Sequence, residues 1–185
     1  RGIIGVAILG STGSIGQSAL AVVDAHPSRL RVVALAAGEN AARCADQIAR
    51  FNPMLVGMAS DAAMTEVKVE LERLSAPLPR SVQGPDALVA VATHPDADVV
   101  LFASSGTAAL DAVLAAIECG KTIALANKEV LVMAGGIVMD AARRRGVPVL
   151  PVDSEHNAIH QCLDGRPHQQ VNRLVLTASG GPFRT

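Results

Sequence analysis

Ile3-Ile4-Gly5-Val6-Ala7-Ile8-Leu9 runs directly into Gly10-Ser11-Thr12-Gly13-Ser14-Ile15-Gly16, and this junction decides the fold. The aliphatic run predicts a short buried strand, and a helical pattern over 15–25 follows it until Pro27 stops it. A glycine loop between strand and helix can turn tightly and let the backbone approach a pyrophosphate. The free N–H groups and positive dipole end of the helix then receive the anion. The spacing is Gly-x-x-Gly-x-x-Gly, a variant associated with NADP more often than Gly-x-Gly-x-x-Gly is. A glycine turn without ligand is the plain alternative, but strand, loop and helix stand in the order that dinucleotide binding requires.

Working outward, apolar runs alternate with helical patterns along nearly the whole chain. Further strands are predicted at 31–37, 54–58, 81–83, 99–103, 122–126, 147–152 and 172–176. Between them lie helices marked by Cys44, Ile48 and Phe51, by Met64, Val67, Leu71 and Leu74, and by Leu110, Val113, Leu114 and Ile117. Two more are predicted over 86–93 and 128–145. Strands alternating with helices of this length imply right-handed crossovers. The expected fold is therefore α/β, a Rossmann-like, doubly wound and mostly parallel sheet, followed by the start of an α/β catalytic domain. The boundary is drawn near Pro151, with 1–150 as the cofactor-binding domain and 151–185 as the beginning of the next.

Composition excludes several classes. Half of the 185 residues are hydrophobic, yet there is no Trp or Tyr and there are three Phe, so base stacking on single-stranded nucleic acid is not expected. Net charge is -1, with 16 basic and 17 acidic residues, which gives no electrostatic footprint for nucleic acid. The one basic run, Arg143-Arg144-Arg145, suits a solvated helix C-terminus. Cys44, Cys119 and Cys162 lack metal spacing and point to a reducing compartment. No apolar run reaches the roughly 18 residues of a membrane span, and no secretory pattern is present. A cytoplasmic protein is expected. The first residue is Arg1 rather than Met, which leaves room for a targeting segment upstream.

Four places carry chemistry. The second strand ends Ala36-Ala37-Gly38-Glu39-Asn40, where an acidic residue signals NAD by accepting from the ribose 2′-hydroxyl. Arg43, one turn later, offsets that charge, so the segment alone suits NAD and NADP equally; Asn40 also suits a helix N-cap. Asn127-Lys128-Glu129 opens a helix at the C-terminal edge of the sheet, where ligands of open α/β sheets bind. Asn127 is a good cap, but Lys128 opposes the dipole by roughly 0.3–1 kcal/mol. Its ammonium either tolerates that cost or is aimed at an anionic or oxygen-rich substrate. Asp153-Ser154-Glu155-His156-Asn157 puts two carboxylates around a hydroxyl at a strand-to-helix turn. That suits one Mg²⁺ or Mn²⁺, and it suits ordinary N-capping as well. His156 is read as a packed or hydrogen-bonded histidine, since two acids already supply the metal chemistry. Thr177-Ala178-Ser179-Gly180-Gly181-Pro182-Phe183 offers backbone donors to a phosphate, or is a plain loop.

Taken together, 10–16, Ala126-Asn127-Lys128-Glu129, Pro151-Val152-Asp153-Ser154-Glu155-His156-Asn157-Ala158-Ile159 and Ala178-Ser179-Gly180-Gly181-Pro182-Phe183-Arg184 resemble the signature segments of the 1-deoxy-D-xylulose-5-phosphate reductoisomerase family, in family order. The resemblance implies a homodimeric enzyme of non-mevalonate isoprenoid biosynthesis that rearranges a small phosphorylated sugar and reduces the product with NADPH. It implies that Thr12, Gly13, Ser14, Ile15, Gly38, Asn40, Asn127 and Glu129 hold the cofactor. It assigns Lys128, Ser154, Glu155 and Ser179 to substrate, and Asp153 and Glu155 to Mg²⁺ or Mn²⁺, with Lys128, Asp153 and Glu155 as the catalytic set. Two departures stand out. Many members carry Lys where this chain has Glu39. Family segments that supply a His, an Asn-Lys pair and a third metal carboxylate lie beyond Thr185, so the 185-residue piece is expected to bind cofactor with little turnover. Other readings are a different NAD(P)-dependent sugar or semialdehyde dehydrogenase, and a non-catalytic dinucleotide-binding module.

Overall fold

The computed structural model describes residues 2–177. Strand β1 (Ile4–Leu9) leads into α1 (Ser14–Ala25), β2 (Leu30–Ala37), α2 (Ala41–Phe51), β3 (Leu55–Met58), α3 (Asp61–Arg73) and β4 (Arg80–Gln83). The chain continues through α4 (Ala87–Ala92), β5 (Val99–Phe102), α5 (Leu110–Glu118), β6 (Thr122–Leu125), α6 (Lys128–Arg145), β7 (Val149–Pro151) and α7 (Ser154–Leu163). The seven strands form one sheet in the order β4-β3-β2-β1-β5-β6-β7. Every neighbouring pair is parallel. The doubly wound α/β fold expected from the alternation is what the chain adopts.

Handedness explains which helix covers which face. From β1 to β4 the chain steps outward in one direction, and right-handed crossovers put α1, α2 and α3 on one side. The return from β4 to β5 reverses the step, so α4, α5 and α6 fall on the other side. The packing agrees: α1 covers Val6, Ile8, Val32 and Leu35, whereas α4, α5 and α6 cover Ala7, Leu9, Val100 and Phe102. α2 and α3 close over Val56 and Met58. Strands buried on both faces must be apolar at every position, which is why they appear as continuous runs rather than as alternating patterns.

Local chemistry sets the helix ends. Asn40, Ser60 and Asn127 cap α2, α3 and α6 by accepting from the N–H of Arg43, Ala63 and Val130. Gly146, at φ +64°, closes α6 beyond three arginines in its last turn. Within α6, Ala134 departs from helical geometry (φ −140°, ψ 26°), next to Gly135 and Gly136. Two glycines in a helix interior weaken it by about 1 kcal/mol each relative to Ala, so the break falls there.

One expected element is absent. Residues 171–177 have no regular secondary structure, and Leu174, Val175 and Leu176 are exposed. A strand needs a partner ladder. The segment pairs with neither open edge of the sheet, β4 or β7. The aliphatic composition marked a strand, but among the described residues no ladder forms with it. No helix among the described residues is long and apolar enough to cross a membrane.

Cys44, on α2, is buried in the cluster that α2 forms with β3 and α3, and burial pushes its thiol up to about 12, while Cys119 and Cys162 are exposed. A thiol-labelling titration at neutral pH should therefore modify two cysteines in the native protein and all three only after denaturation.

Candidate functional site

β1 lies between β2 and β5, whose connections leave it in opposite directions. That divergence opens a crevice above the carboxyl ends of the strands, and the 10–16 loop lines it. The N–H groups of Gly10 and Ser11 both donate to the Ala36 carbonyl, at 2.8 and 3.0 Å, and Gly13 N–H donates to Gly10 at 3.1 Å. Gly10 sits at φ +83°, and a Cβ there would lie 2.6 Å from the Ser104 nitrogen on the β5 side. At Gly16 a Cβ would lie 2.6 Å from Ser11 Cα. Both glycines are thus required by the protein's own packing. Gly13 and Gly38 are not: a Cβ on Gly13 would meet only the Gly10 oxygen at 3.4 Å, and one on Gly38 would meet nothing within 4 Å. Gly13 is the N-cap of α1, with no side-chain cap bond and no acid in the first turn, so the helix start keeps unassigned donors.

Side chains brace the loop from behind. Gln47 Nε2 donates to the Ser11 carbonyl at 2.9 Å, and Gln17 Nε2 donates to Thr12 and Gly13 at 3.1 and 3.2 Å. Arg43 Nη1 also donates to the Thr12 carbonyl, at 3.2 Å. The carbonyls of 11–13 are thereby held by side chains, the N–H groups of Ser11 and Gly13 are bonded within the protein, and the uncapped donors that open α1 are left to face the crevice. Reading the sequence missed Gln17 and Gln47. The available signal was Gln47 itself, a buried polar residue beside Cys44 and Ile48 on the apolar face of α2. The hydroxyls of Ser11 and Ser104 and the Gln47 Oε1 are buried without a hydrogen-bond partner. Such groups cost about 1–3 kcal/mol each when unsatisfied. A cleft of about 590 Å³ runs from Gly10 past Ala37 and Gly38 to Met58, Gly84 and Ser104. Glu39 accepts a hydrogen bond from Ser60 Oγ at 3.2 Å, and Asn40 caps α2.

A second cluster forms where β6 and β7 end. Asn127 is buried; its amide donates to the carbonyls of Ser104 and Gly106 at 2.7 and 2.8 Å, and its oxygen caps α6. It therefore ties the β5–α5 loop to the start of α6. Lys128 Nζ donates to Asp153 Oδ2 at 3.2 Å across the sheet edge. This hydrogen bond and the opposed charges hold Lys128 above the usual ammonium range and Asp153 below the usual carboxylate range, so both stay charged near neutral pH. Asp153 stands at the N-cap of α7 yet makes no cap bond. Of the two roles that spacing left open for Asp153, side-chain capping is not the one it performs.

Ser154 and Glu155 occupy the first turn of α7, and Asn157 Nδ2 anchors that turn to the Pro151 carbonyl at 2.7 Å. His156 is half-exposed rather than packed, with Nδ1 3.9 Å from Asp153 Oδ2. With Lys128 and Asp153 it borders a cleft of about 380 Å³ whose other walls, Leu131, Val132, Met139 and Val149 among them, are apolar. Glu129 is exposed in the first turn of α6. The structure thus gathers the expected residues into two groups on one sheet edge: Thr12, Gly13, Ser14, Ile15, Gly38 and Asn40 beside β1 and β2, and Asn127, Lys128, Glu129, Asp153, Ser154 and Glu155 beside β6 and β7. Ser179 lies outside the described residues. Among the described residues, no group of three or more His, Cys, Asp or Glu gathers to hold a metal.

Residues 6–135 match the family model described as 1-deoxy-D-xylulose 5-phosphate reductoisomerase. The chain belongs to this reductoisomerase family. Residues 149–185 match the model of the reductoisomerase C-terminal domain. The 1-deoxy-D-xylulose 5-phosphate reductoisomerase of Anaeromyxobacter sp. (strain K) is 54% identical over 97% of this chain and 45% of its own length. The reductoisomerase of Zymomonas mobilis, solved in complex with NADPH, superposes with a TM-score of 0.85 at 45% identity, covering 99% of this chain and 47% of that one. A DOX-P reductoisomerase solved with NADPH, fosmidomycin and magnesium gives 0.81 at 37% identity, over 88% of this chain and 40% of that one. The chain therefore spans about half the length of the reductoisomerases it matches.

Two substitutions probe the scaffold. Gly16→Ala should lower unfolding stability by about 1–3 kcal/mol through overpacking against the loop backbone. Asn127→Ala should cost about 2–3 kcal/mol by removing a helix cap and two buried hydrogen bonds. Unfolding free energies from denaturant titration that change by less than about 0.5 kcal/mol would contradict both accounts.

Proposed function

We propose that this chain carries the NADPH-binding site and part of the metal and substrate site of a reductoisomerase. The proposed enzyme converts 1-deoxy-D-xylulose 5-phosphate to 2-C-methyl-D-erythritol 4-phosphate in non-mevalonate isoprenoid biosynthesis. The observation that carries the reading is the Lys128–Asp153 contact. It joins a cation that local helix electrostatics disfavour to a carboxylate that declines its capping role. The pair stands on the same sheet edge as an uncapped, glycine-lined helix start.

The residues present fit both absent groups. Gly13 and Gly38 lack a Cβ where nothing in the protein excludes one, so the space is available to a nucleotide backbone. Thr12, Ser14 and Ile15 present N–H donors to a pyrophosphate at the helix start, Gly13 leaves the space beside them open, and Gly38 and Asn40 lie toward the adenosine end. Asn127 orders the loop that faces the nicotinamide end, with Glu129 beside it. Asp153 and Glu155 are hard oxygen donors suited to Mg²⁺ or Mn²⁺, and they form an incomplete ligand set by themselves. When bound, the dinucleotide supplies a hydride and the divalent ion polarises substrate oxygens. The chain's own residues do the rest: Lys128 meets the anionic, oxygen-rich substrate, Ser154 and Glu155 orient it, and Ser179 extends that contact set.

The unit boundary near Pro151, a homodimeric assembly and a cytoplasmic location belong to the same proposal. Their support is the family resemblance.

The test is a coupled pair of measurements on the intact protein. NADPH oxidation with 1-deoxy-D-xylulose 5-phosphate should require Mg²⁺ or Mn²⁺. It should fall at least about 100-fold in Asp153→Asn, where one hard ligand is lost. Metal-independent oxidation would defeat the reading in favour of a different dehydrogenase. Gly13→Ala should weaken NADPH binding at least tenfold while costing no more than about 1 kcal/mol of stability, since only an external ligand needs that space. An equal loss of fold and binding would remove the argument from Gly13.

A further inference from the structure

The end of β2 poses a charge problem. Glu39 occupies the place where an acidic side chain accepts from the adenosine ribose in NAD proteins, and its carboxylate repels a phosphate there. In the structure that carboxylate is engaged elsewhere. Ser60 Oγ, the cap of α3, donates to Glu39 Oε2 at 3.2 Å while accepting from the Ala63 N–H at 3.1 Å. Arg43 behaves in the opposite way. From the first turn of α2 it reaches back to the Thr12 carbonyl at 3.2 Å, so its guanidinium bridges the two segments that flank the ribose end of the crevice, the 10–16 loop and the β2–α2 turn. That bond uses one of five guanidinium N–H donors. Arg43 makes no ion pair among the described residues, whereas its helix neighbour Arg50 is paired with Asp24.

We infer that Arg43 selects a 2′-phosphorylated adenosine ribose and that Ser60 makes this possible by holding Glu39 aside. The inference rests on the dinucleotide reading above and adds its specificity. A planar guanidinium already fixed through Thr12 is pre-organised for two-pronged hydrogen bonding to a phosphate. It forms that arrangement without losing further side-chain freedom. A 2′-hydroxyl offers one neutral acceptor in place of a dianion, so a nucleotide lacking the phosphate gains little from Arg43. The phosphate preference of this chain then comes from α2 rather than from the residue that ends β2.

Titrations of NADPH and NADH, followed by nucleotide fluorescence, test this on the intact protein. The unsubstituted protein should prefer NADPH. Arg43→Gln should weaken NADPH tenfold or more while changing NADH less than twofold. Arg43→Lys, which keeps a cation without the fork, should restore part of the preference and decides the matter if the Gln variant does not fold. Ser60→Ala should release Glu39 and weaken NADPH several-fold, with NADH unchanged or tighter. Equal weakening of both nucleotides by Arg43→Gln would reduce Arg43 to a brace for the loop and overturn the inference. So would a protein that binds NADH as tightly as NADPH. Binding of neither nucleotide by the unsubstituted protein would overturn this inference and the cofactor reading together.

Discussion

The handedness of the crossover connections is the constraint on which the rest depends. Because each step between parallel strands must turn the same way, the reversal after β4 forces α4 to the opposite face and brings β5 against the free side of β1. The loops leaving β1 and β5 therefore diverge, and the gap between them cannot be filled by either crossover. The backbone must make a very close approach at that gap. Gly10 and Ser104 meet there with no room for a Cβ, so the sheet topology, rather than any ligand, requires the first glycine of the loop.

This separates the glycines by cause. Gly10 and Gly16 are demanded by strand–loop and loop–helix packing, while Gly13 and Gly38 face space that the protein leaves empty. A motif read from spacing treats all of them alike. The same division applies to hydrogen bonding: Gln17, Arg43 and Gln47 take up the carbonyls of 11–13, the N–H groups of Gly10, Ser11 and Gly13 are bonded within the loop and to β2, and the donors left over are those that open α1. An anion-binding surface needs that asymmetry. It is built by side chains as much as 36 residues away in sequence.

Most of the architecture was legible because it depends on local signals. Hydrophobic runs placed six of the seven observed strands, the short polar β4 was read at 81–83 after the break at Pro77 and Pro79, and 128–145 gave the bounds of α6 without adjustment. The break at Ala134 was not foreseen, although Gly135 and Gly136 carried it, since helix period alone says nothing about interior strain. The strand expected over 172–176 did not form because composition marks a propensity, whereas a strand exists only with a partner. At the site, the chemistry-bearing residues were visible as departures from local rules: a cation in a first helical turn, acids clustered after a strand. Their partners were not visible. The Lys128–Asp153 contact spans 25 positions and the Gln47–Ser11 contact 36. Only the strand order brings such pairs together.

That strand order also sets how the two clusters relate. β1 and β7 are three strand spacings apart, about 14 Å at the usual separation of parallel strands. Between them lie the ends of β5 and β6, joined by the amide of Asn127. On the proposed reading, the pyrophosphate binds over β1 and the cation over β7, so the redox end of an extended dinucleotide lies over the β5–β6 loops. Asn127 then acts on the reaction through backbone geometry: its two amide donors are already spent on Ser104 and Gly106, and what it contributes is the fixed spacing between the cofactor loop and Lys128. The helix that starts at Lys128 keeps an unfavourable residue at its first position beside the group that compensates it, Asp153, which on the same reading would hold the metal at that edge. A local cost of roughly 0.3–1 kcal/mol is offset by one long-range pair, and that pair places a cation and a carboxylate side by side where substrate and metal would meet.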